Sequence, residues 1–191
     1  AYQHDRYTHF YVHDPKRRFI SKATIKDRLV HQALVQVIEP LFEKQFIFDS
    51  YASRRGKGVH ASVNRLERFL RQASGNYRKT VYVLKCDIRK FYDSVRHDIL
   101  LNTLSQTLFD ARLLKLIGLI IDSYTTDYSL RQGLPLGNVT SQLFTNVYLN
   151  SFDHFIKERL RMRWYIRFCD DFVIVHPERD VLEQALPTIQ Q

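Results

Sequence analysis

The stretch WYIRFCDDFVIVH, residues 164–176, decides the fold class of this chain. Its two β-rich runs, Trp164–Cys169 and Phe172–His176, predict the strands of a hairpin with Asp170 and Asp171 at the tip. Aspartate is common in turns, but a short hairpin usually places Gly or Asn beside it, and neither is present here. Two like charges about 4 Å apart repel by about 4 kcal/mol at an effective dielectric near 20. A bound cation would relieve that repulsion, so the pattern fits a metal site as well as it fits a plain turn.

A third aspartate follows another β-rich run. Val81–Cys86 predicts a short buried strand that ends at Asp87, 83 residues before Asp170. Two adjacent strand ends that present carboxylates at one point would hold two Mg²⁺ ions, because hard divalent ions prefer carboxylate oxygen. Paired ions of this kind drive in-line phosphoryl transfer. The three aspartates are therefore candidate catalytic and metal-ligating residues.

The charge of the chain is unevenly distributed. Among 191 residues, 29 Lys and Arg stand against 20 Asp and Glu, a net charge of +9. Residues 1–80 hold 16 of the basic and 7 of the acidic residues, whereas residues 81–191 hold 13 of each. A uniformly solubilising surface would not divide in this way. We therefore expect a basic N-terminal lobe with an anionic partner, nucleic acid ahead of a membrane surface.

Composition excludes several other classes of protein. A hydrophobic content of 45% rules out a disordered basic tail. No apolar run approaches the roughly 20 residues of a membrane span, and Ala1–Phe10 lacks the apolar core of a signal peptide. Cys86 and Cys169 are too few for a disulfide framework or a cysteine zinc site, which favours a reducing, cytoplasmic compartment.

Helical periodicity surrounds the strands and makes the predicted fold class α+β. Thr24 and Asp27 form a start similar to a capping box, and Pro40 is expected to end or kink the helix that follows. Asp110 and Thr140 are candidate N-caps of two later helices. Further helical segments are predicted around residues 59–70, 99–108, 113–120, 144–156 and 178–191.

Three segments resemble the palm motifs of reverse transcriptases. Residues 85–95, KCDIRKFYDSV, resemble motif A, and residues 167–174, RFCDDFVI, resemble motif C. Between them, residues 132–142, QGLPLGNVTSQ, resemble motif B. Upstream, residues 25–34 and 50–58 are similar to fingers motifs of group II intron-type and related bacterial or phage enzymes.

The resemblance implies a polymerase right-hand fold. Residues 1–80 would form basic fingers and residues 81–191 a palm, an antiparallel sheet packed on helices, which stops before the later palm motifs and the thumb. Such a piece of a longer enzyme is expected to bind nucleotide and template weakly and to show little processive synthesis alone.

The resemblance also implies an activity and its partners. The enzyme would be an RNA-directed DNA polymerase that extends a primer 3′-hydroxyl by two-Mg²⁺ nucleotidyl transfer, with Mn²⁺ as the alternative ion. Its partners would be an RNA template, a DNA or RNA primer and dNTPs. A small basic accessory protein is compatible with it, and a membrane is not expected.

Carried over residue by residue, the motifs assign the catalytic centre. Asp87, Asp170 and Asp171 would be the metal-site carboxylates, and the Ile88 carbonyl a further ligand. Tyr92 takes the place of the aromatic steric gate, whose ring excludes a 2′-hydroxyl and so selects dNTPs.

The remaining motif positions imply contacts to nucleotide, template and primer. Arg54 matches the arginine that grips the triphosphate, with Lys57 in support, and Cys169 matches the residue that touches the primer end or the incoming sugar. Gly137 would let the backbone approach the nascent base pair. Positions assigned to the template or primer are Arg18, Lys22, Leu136, Ser141 and Gln142.

Motif B departs from the common reverse transcriptase pattern. Most members have Gln-Gly-X-X-X-Ser-Pro, whereas here Leu136 replaces the first Gln and Gln142 replaces the Pro. This variant is similar to the reverse transcriptases of diversity-generating retroelements and implies error-prone copying, especially opposite template adenine. Leu136 cannot make the hydrogen bonds that an amide side chain offers near the base pair.

Three alternatives remain open at this point. A defence-type or retron-type reverse transcriptase is disfavoured by the motif B variant. A non-catalytic palm that binds nucleic acid as a scaffold is disfavoured by the intact aspartates and Tyr92. An RNA-dependent RNA polymerase shares the Asp-Asp hairpin, but an aromatic gate is the wrong choice for selecting ribonucleotides.

Overall fold

Five strands and seven helices follow one another along the residues that the computed structural model describes, 2–13 and 16–190. In chain order they are β1 (Thr8–His13), β2 (Arg17–Lys22), α1 (Ile25–Glu43), α2 (Val59–Ala73), β3 (Tyr82–Asp87), α3 (Phe91–Ser94), α4 (His97–Ser105), α5 (Ala111–Asp122), α6 (Val139–His154), a π-helical turn (Phe155–Arg159), β4 (Trp164–Phe168), β5 (Asp171–His176) and α7 (Arg179–Ile189). Helices and an antiparallel sheet thus confirm the predicted α+β class.

The chain folds as two compact units, each built from two segments. One unit contains Ala1–Gln45 and Arg89–Tyr148, and the other contains Phe46–Ile88 and Leu149–Gln191. These units are defined by packing, whereas the division into fingers and palm at residue 80 concerns function and stays a prediction.

The first unit begins with an antiparallel pair of strands. β1 and β2 pair in a register that places Phe10 opposite Ile20. Every residue of β1 is exposed. A strand without a buried face shows no alternation of apolar and polar residues, which is why its sequence pattern did not predict it.

Helix α1 starts where its capping sequence predicts. The Thr24 hydroxyl accepts a hydrogen bond from the Asp27 N–H and donates one to the Asp27 carboxylate. Pro40, however, does not end the helix, which continues to Glu43. Pro40 and Gln36 are both exposed, so water can bond the Gln36 carbonyl that loses its helical partner.

The first turn of α6 also differs from the prediction. Asp110 caps α5 as expected, because its carboxylate accepts from the N–H groups of Arg112 and Leu113. Thr140 lies inside α6 rather than before it, since the helix begins at Val139. Its side chain is buried, with the hydroxyl 3.5 Å from Nδ1 of His31.

The second unit is organised around a three-stranded antiparallel sheet in the order β3-β5-β4. Alternate side chains of β4 and β5 enter two different clusters, because neighbouring residues of a strand point to opposite faces. One cluster includes Tyr165 and Ile174 and is completed by Leu182 of α7, and the other joins Ile166 to Phe69 of α2. Both faces of the sheet are therefore covered by helices.

Among the described residues, no helix is both long enough and apolar enough to cross a membrane.

Candidate active site

Three carboxylates meet at one end of the sheet in the second unit. Oxygen atoms of Asp87, Asp170 and Asp171 all lie within 4.8 Å of one another, and we call these residues the aspartate cluster. Asp87 is the last residue of β3 and pairs directly with Asp171, the first residue of β5. Antiparallel pairing brings these two positions together although 84 residues separate them. The side chain of Asp170 is partly buried and the other two are exposed.

The two neighbouring aspartates of the hairpin have different backbone environments. Asp171 belongs to β5, so the β4–β5 connection consists of Cys169 and Asp170 alone. The prediction that both aspartates form the tip was therefore wrong for Asp171, because its backbone is part of the ladder with Phe168 and Asp87.

The connection also explains how a short turn forms without glycine. Cys169 has a φ of 59°, in the left-handed region that a two-residue hairpin needs and that Gly usually supplies. A residue with a Cβ pays about 1–2 kcal/mol for this conformation. The turn therefore needs support from elsewhere in the fold.

A buried arginine supplies that support. Nη1 of Arg167 donates to the Cys169 carbonyl at 2.8 Å, while Nε and Nη2 each donate to a different oxygen of Asp153 at 2.7 Å. The side chains of Arg167 and Asp153 are both fully buried. Hydrogen bonds from charged groups contribute about 1.5–3 kcal/mol, enough to offset the strain at Cys169.

The environment of the Arg167 guanidinium keeps it charged. Burial by itself lowers the pKa of Arg167, but the Asp153 carboxylate outweighs burial and holds that pKa above its usual range. The Tyr165 hydroxyl donates to Asp153 at 2.6 Å, and burial together with the Asp153 charge raises the pKa of Tyr165 far above its ordinary value. The tyrosine therefore stays protonated and remains a donor.

Neither member of the pair was predicted to have a role. Arg167 stands in the middle of a strand whose flanking residues, Ile166 and Phe168, are apolar. A charge at such a position requires a buried partner, and this signal could have singled out the arginine. It could not have found Asp153, which is 14 residues away on a helix.

The donor set of the aspartate cluster fits a hard divalent cation. Carboxylate oxygens are the ligands that Mg²⁺ prefers, and a few of them suffice when substrate phosphates and water complete the shell. The Ile88 N–H donates to the Asp170 carbonyl at 3.3 Å, so Ile88 lies beside the cluster. Cys86, one residue before Asp87, packs against the apolar cluster of the sheet, and burial raises the pKa of its thiol.

Arg54 and Lys57 also belong to the second unit, where they hold the loop before α2. Nη1 of Arg54 donates to the carbonyls of Ile47 and Ser50 at 2.7 and 2.8 Å. Nζ of Lys57 donates to the Phe48 carbonyl and lies 3.5 Å from the centre of the Phe48 ring. Their predicted contacts with a triphosphate stay predictions.

The other predicted site residues lie in the first unit, where motif B borders β2. The Ser21 N–H donates to the Leu136 carbonyl at 3.0 Å. Gly137 has a φ of 116°, and a Cβ placed there would lie 3.0 Å from a methyl group of Ile20. This crowding, together with the positive φ, requires glycine at position 137.

Several predicted contact residues are accessible on this unit. Arg18 and Lys22 are exposed on β2, and their even spacing along the strand places them on the same side of it. On α6, Ser141 is buried and Gln142 is exposed. Tyr92 lies on α3, half-buried, and its carbonyl accepts from the Leu134 N–H at 2.7 Å.

An antiparallel sheet with helices on both faces and carboxylates at neighbouring strand ends is typical of one class of protein, the right-hand polymerases. The chain resembles the structure of Candida albicans telomerase in complex with a fragment of telomeric RNA, with a TM-score of 0.69 and 13% identity over 100% of this chain and 41% of that one. It is similarly close to apo telomerase from Candida tropicalis, with a TM-score of 0.68 and 13% identity over 97% of this chain and 46% of that one. These likenesses confirm the predicted fold class.

The sequence defines the family within that class. Residues 13–191 match the family described as reverse transcriptase (RNA-dependent DNA polymerase), and the chain belongs to this family. Protein YkfC of Escherichia coli is 28% identical over 160 residues, which are 78% of this chain and 42% of the relative. Group II intron-encoded protein LtrA of Lactococcus lactis is 24% identical over 156 residues, 78% of this chain and 24% of the relative. The chain thus spans less than half the length of these relatives, and the predicted kinship with group II intron-type enzymes is confirmed.

Proposed function

We propose that this protein is an RNA-directed DNA polymerase that extends a primer 3′-hydroxyl with dNTPs on an RNA template. The aspartate cluster carries the proposal, because it brings three carboxylates from neighbouring strand ends within 4.8 Å in a chain of the reverse transcriptase family. Two Mg²⁺ ions, or Mn²⁺ in their place, would lower the pKa of the primer hydroxyl and neutralise the charge on the triphosphate.

The carboxylates of the aspartate cluster would hold the reacting groups in line. Asp87 and Asp170 are the proposed direct ligands with the backbone carbonyl of Ile88, and Asp171 completes the negative charge of the cluster. The exposure of Asp87 supports its role as a ligand, since a metal-binding carboxylate that faces substrate must be accessible.

Selection of the nucleotide is assigned to residues of motif A, motif C and the fingers loop. Tyr92 would pack under the incoming sugar and exclude a 2′-hydroxyl, and Cys169 would contact the sugar or the primer end. Arg54 and Lys57 would bind the triphosphate. Gly137 would allow the backbone close to the new base pair.

Template and primer would lie against the basic surface of residues 1–80, the proposed fingers, and against motif B of the proposed palm. Arg18 and Lys22 are exposed and share one side of β2, as phosphate-binding side chains must be accessible. Ser141 and Gln142, in the first turn of α6, would lie beneath the template, and of the two Gln142 is the exposed side chain that can reach it.

We further propose that copying is error-prone and serves a diversity-generating retroelement. Leu136 supports this assignment, because an apolar side chain stands where an amide would offer hydrogen bonds to control pairing geometry. A small basic accessory protein would be a further partner of such an enzyme.

The proposed activity is tested by primer extension. The full-length protein, given a DNA primer on an RNA template with Mg²⁺ and dNTPs, should extend the primer. Asp170→Asn should abolish extension, because the amide removes a negative oxygen ligand while its size stays the same. The matched control is Asp180→Asn, an exposed carboxylate on α7 of the same unit, which should retain activity. Extension by Asp170→Asn at the unmodified rate would refute the site assignment.

A further inference from the structure

Arg167 links the core of the second unit to the connection that carries Asp170. We propose that Arg167, held in place by Asp153, is a positioning residue that sets the β4–β5 connection and thereby the geometry of the aspartate cluster. The inference rests on the proposed function, since it concerns the support behind the proposed metal site.

The guanidinium of Arg167 has a fixed orientation. Both oxygens of Asp153 accept from it, each at 2.7 Å, and this two-point contact prevents the planar group from rotating. The Asp153 carboxylate is itself held by the Tyr165 hydroxyl at 2.6 Å. The third nitrogen, Nη1, therefore points at one place in the fold.

That place is the Cys169 carbonyl, 2.8 Å away. The planar peptide group joins this carbonyl to the N–H of Asp170, so holding the carbonyl also holds the peptide before Asp170. The peptide after Asp170 is held from β3, because the Ile88 N–H donates to the Asp170 carbonyl at 3.3 Å. With the peptide groups on both sides held, the backbone angles of Asp170, and with them the direction of its Cα–Cβ bond, are set.

The backbone of Arg167 is anchored as firmly as its side chain. Its N–H donates to the Asp49 carbonyl and its carbonyl accepts from the Tyr51 N–H, both at 3.0 Å. The residue is 1% exposed. A group fixed in this way can hold a strained turn, whereas a mobile surface arginine could not.

The substitution Arg167→Lys distinguishes the proposed positioning role of Arg167 from the effect of its positive charge. An ammonium group keeps the positive charge but is a point donor without the fork, so it cannot hold Asp153 at two oxygens and the Cys169 carbonyl at once. We expect Arg167→Lys to weaken Mn²⁺ binding, titrated with the metal alone and followed by electron paramagnetic resonance, by about tenfold or more, as is typical when the support of a metal ligand is lost.

A rescue variant distinguishes this role from a general loss of stability. Glycine adopts the positive φ of position 169 without strain. Adding Cys169→Gly to Arg167→Lys should therefore restore most of the Mn²⁺ affinity. The matched control is Lys157→Met, which removes a partly buried ion pair with Asp49 in the same unit and should leave Mn²⁺ affinity unchanged.

A second variant covers the case in which lysine at this buried position prevents folding. Asp153→Leu combined with Arg167→Met replaces the ion pair by apolar side chains of similar size, which buried pairs often tolerate. It should fold, as judged by circular dichroism, and still lose Mn²⁺ affinity by about tenfold or more.

The outcomes separate the inference from the proposed function. If Asp170→Asn leaves Mn²⁺ binding unchanged, the proposed metal site fails. If Asp170→Asn abolishes binding while the folded Arg167 variants bind as tightly as the unmodified protein, the positioning role alone is overturned. It is also overturned if Cys169→Gly restores nothing, or if neither Arg167 variant folds, because Arg167 is then a structural element of the core.

Discussion

Leu136 shows how a single side chain bears on the accuracy proposed for this enzyme. Its carbonyl is bonded to the Ser21 N–H and its side chain is partly buried. The backbone of motif B is thus held against β2. The presence of leucine instead of glutamine at this position therefore changes the chemistry of the side chain. An amide can both donate and accept hydrogen bonds, whereas leucine can do neither.

Restoring the amide should therefore raise fidelity. We expect Leu136→Gln to lower misincorporation several-fold, most of all opposite template adenine, since the amide adds hydrogen bonds that depend on pairing geometry. Sequencing of the cDNA products measures the effect. Leu130→Gln, at an exposed leucine of the preceding loop, should leave the error spectrum unchanged, and an unchanged spectrum for Leu136→Gln would contradict the proposed role.

The three aspartates were predicted from the sequence, whereas Arg167 was not. Each aspartate borders a β-rich run, a local pattern that can be read from a single sequence. Arg167 has its role through Asp153 and Cys169, and its bond to Asp153 depends on how α6 packs against β4.

The start of helix α1 is determined by a capping sequence of neighbouring residues. Thr24 makes two hydrogen bonds to Asp27, and the buried Asp27 carboxylate accepts two more, from the Tyr2 hydroxyl and the Asp5 N–H. Removal of the cap would leave part of a buried carboxylate without its donor. The cost therefore exceeds that of an ordinary surface substitution.

Thr24→Ala should lower the free energy of unfolding by about 1–2 kcal/mol. Urea denaturation followed by circular dichroism measures the change. Thr80→Ala, at an exposed threonine outside helices and strands, should stay within about 0.5 kcal/mol of the unmodified protein. Equal effects of the two substitutions would show that the cap does not stabilise α1.

The strands that sequence patterns missed, β1 and β2, are mostly exposed. Of the three predicted capping residues, Thr24 and Asp110 cap their helices and Thr140 does not. The three strands of the sheet were placed within two residues of their observed bounds. β1 escaped prediction because its residues are all exposed. Pro40 was expected to end or kink α1, but its exposed position lets water replace the bond that proline removes, and the helix continues.

For the molecule as a whole, the net charge of +9 is concentrated in residues 1–80. Contacts of basic side chains with phosphates release counterions, so nucleic-acid affinity falls with salt in proportion to the number of contacts. Arg18 and Lys22 are exposed members of this basic segment. The number of phosphate contacts that they make can be obtained from the salt dependence of template binding.

Removing both charges, by Arg18→Ala with Lys22→Ala, should weaken binding of single-stranded RNA at low salt. The slope of log affinity against log salt should become shallower by about 1.4, from about 0.7 for each lost phosphate contact. Fluorescence anisotropy over a salt series measures this. The charge-matched control, Arg112→Ala with Lys115→Ala on the exposed side of α5, should keep the original slope; equal slopes for both double variants would exclude a specific role for β2.

The sequence by itself determined the α+β class, the strands of the three-stranded sheet and the position of the aspartates beside their ends. Runs of β-formers ending in Asp, helix caps and the motifs around Asp87, Tyr92 and Asp170 are local features, and local features are encoded by neighbouring residues. Only the tertiary structure decided that Asp171 pairs with Asp87 and that the connection beside it is held by a buried ion pair. The first depends on the register of strands that are distant in the chain, and the second on the packing of a helix against a strand. Neither register nor packing leaves a periodic trace in the sequence.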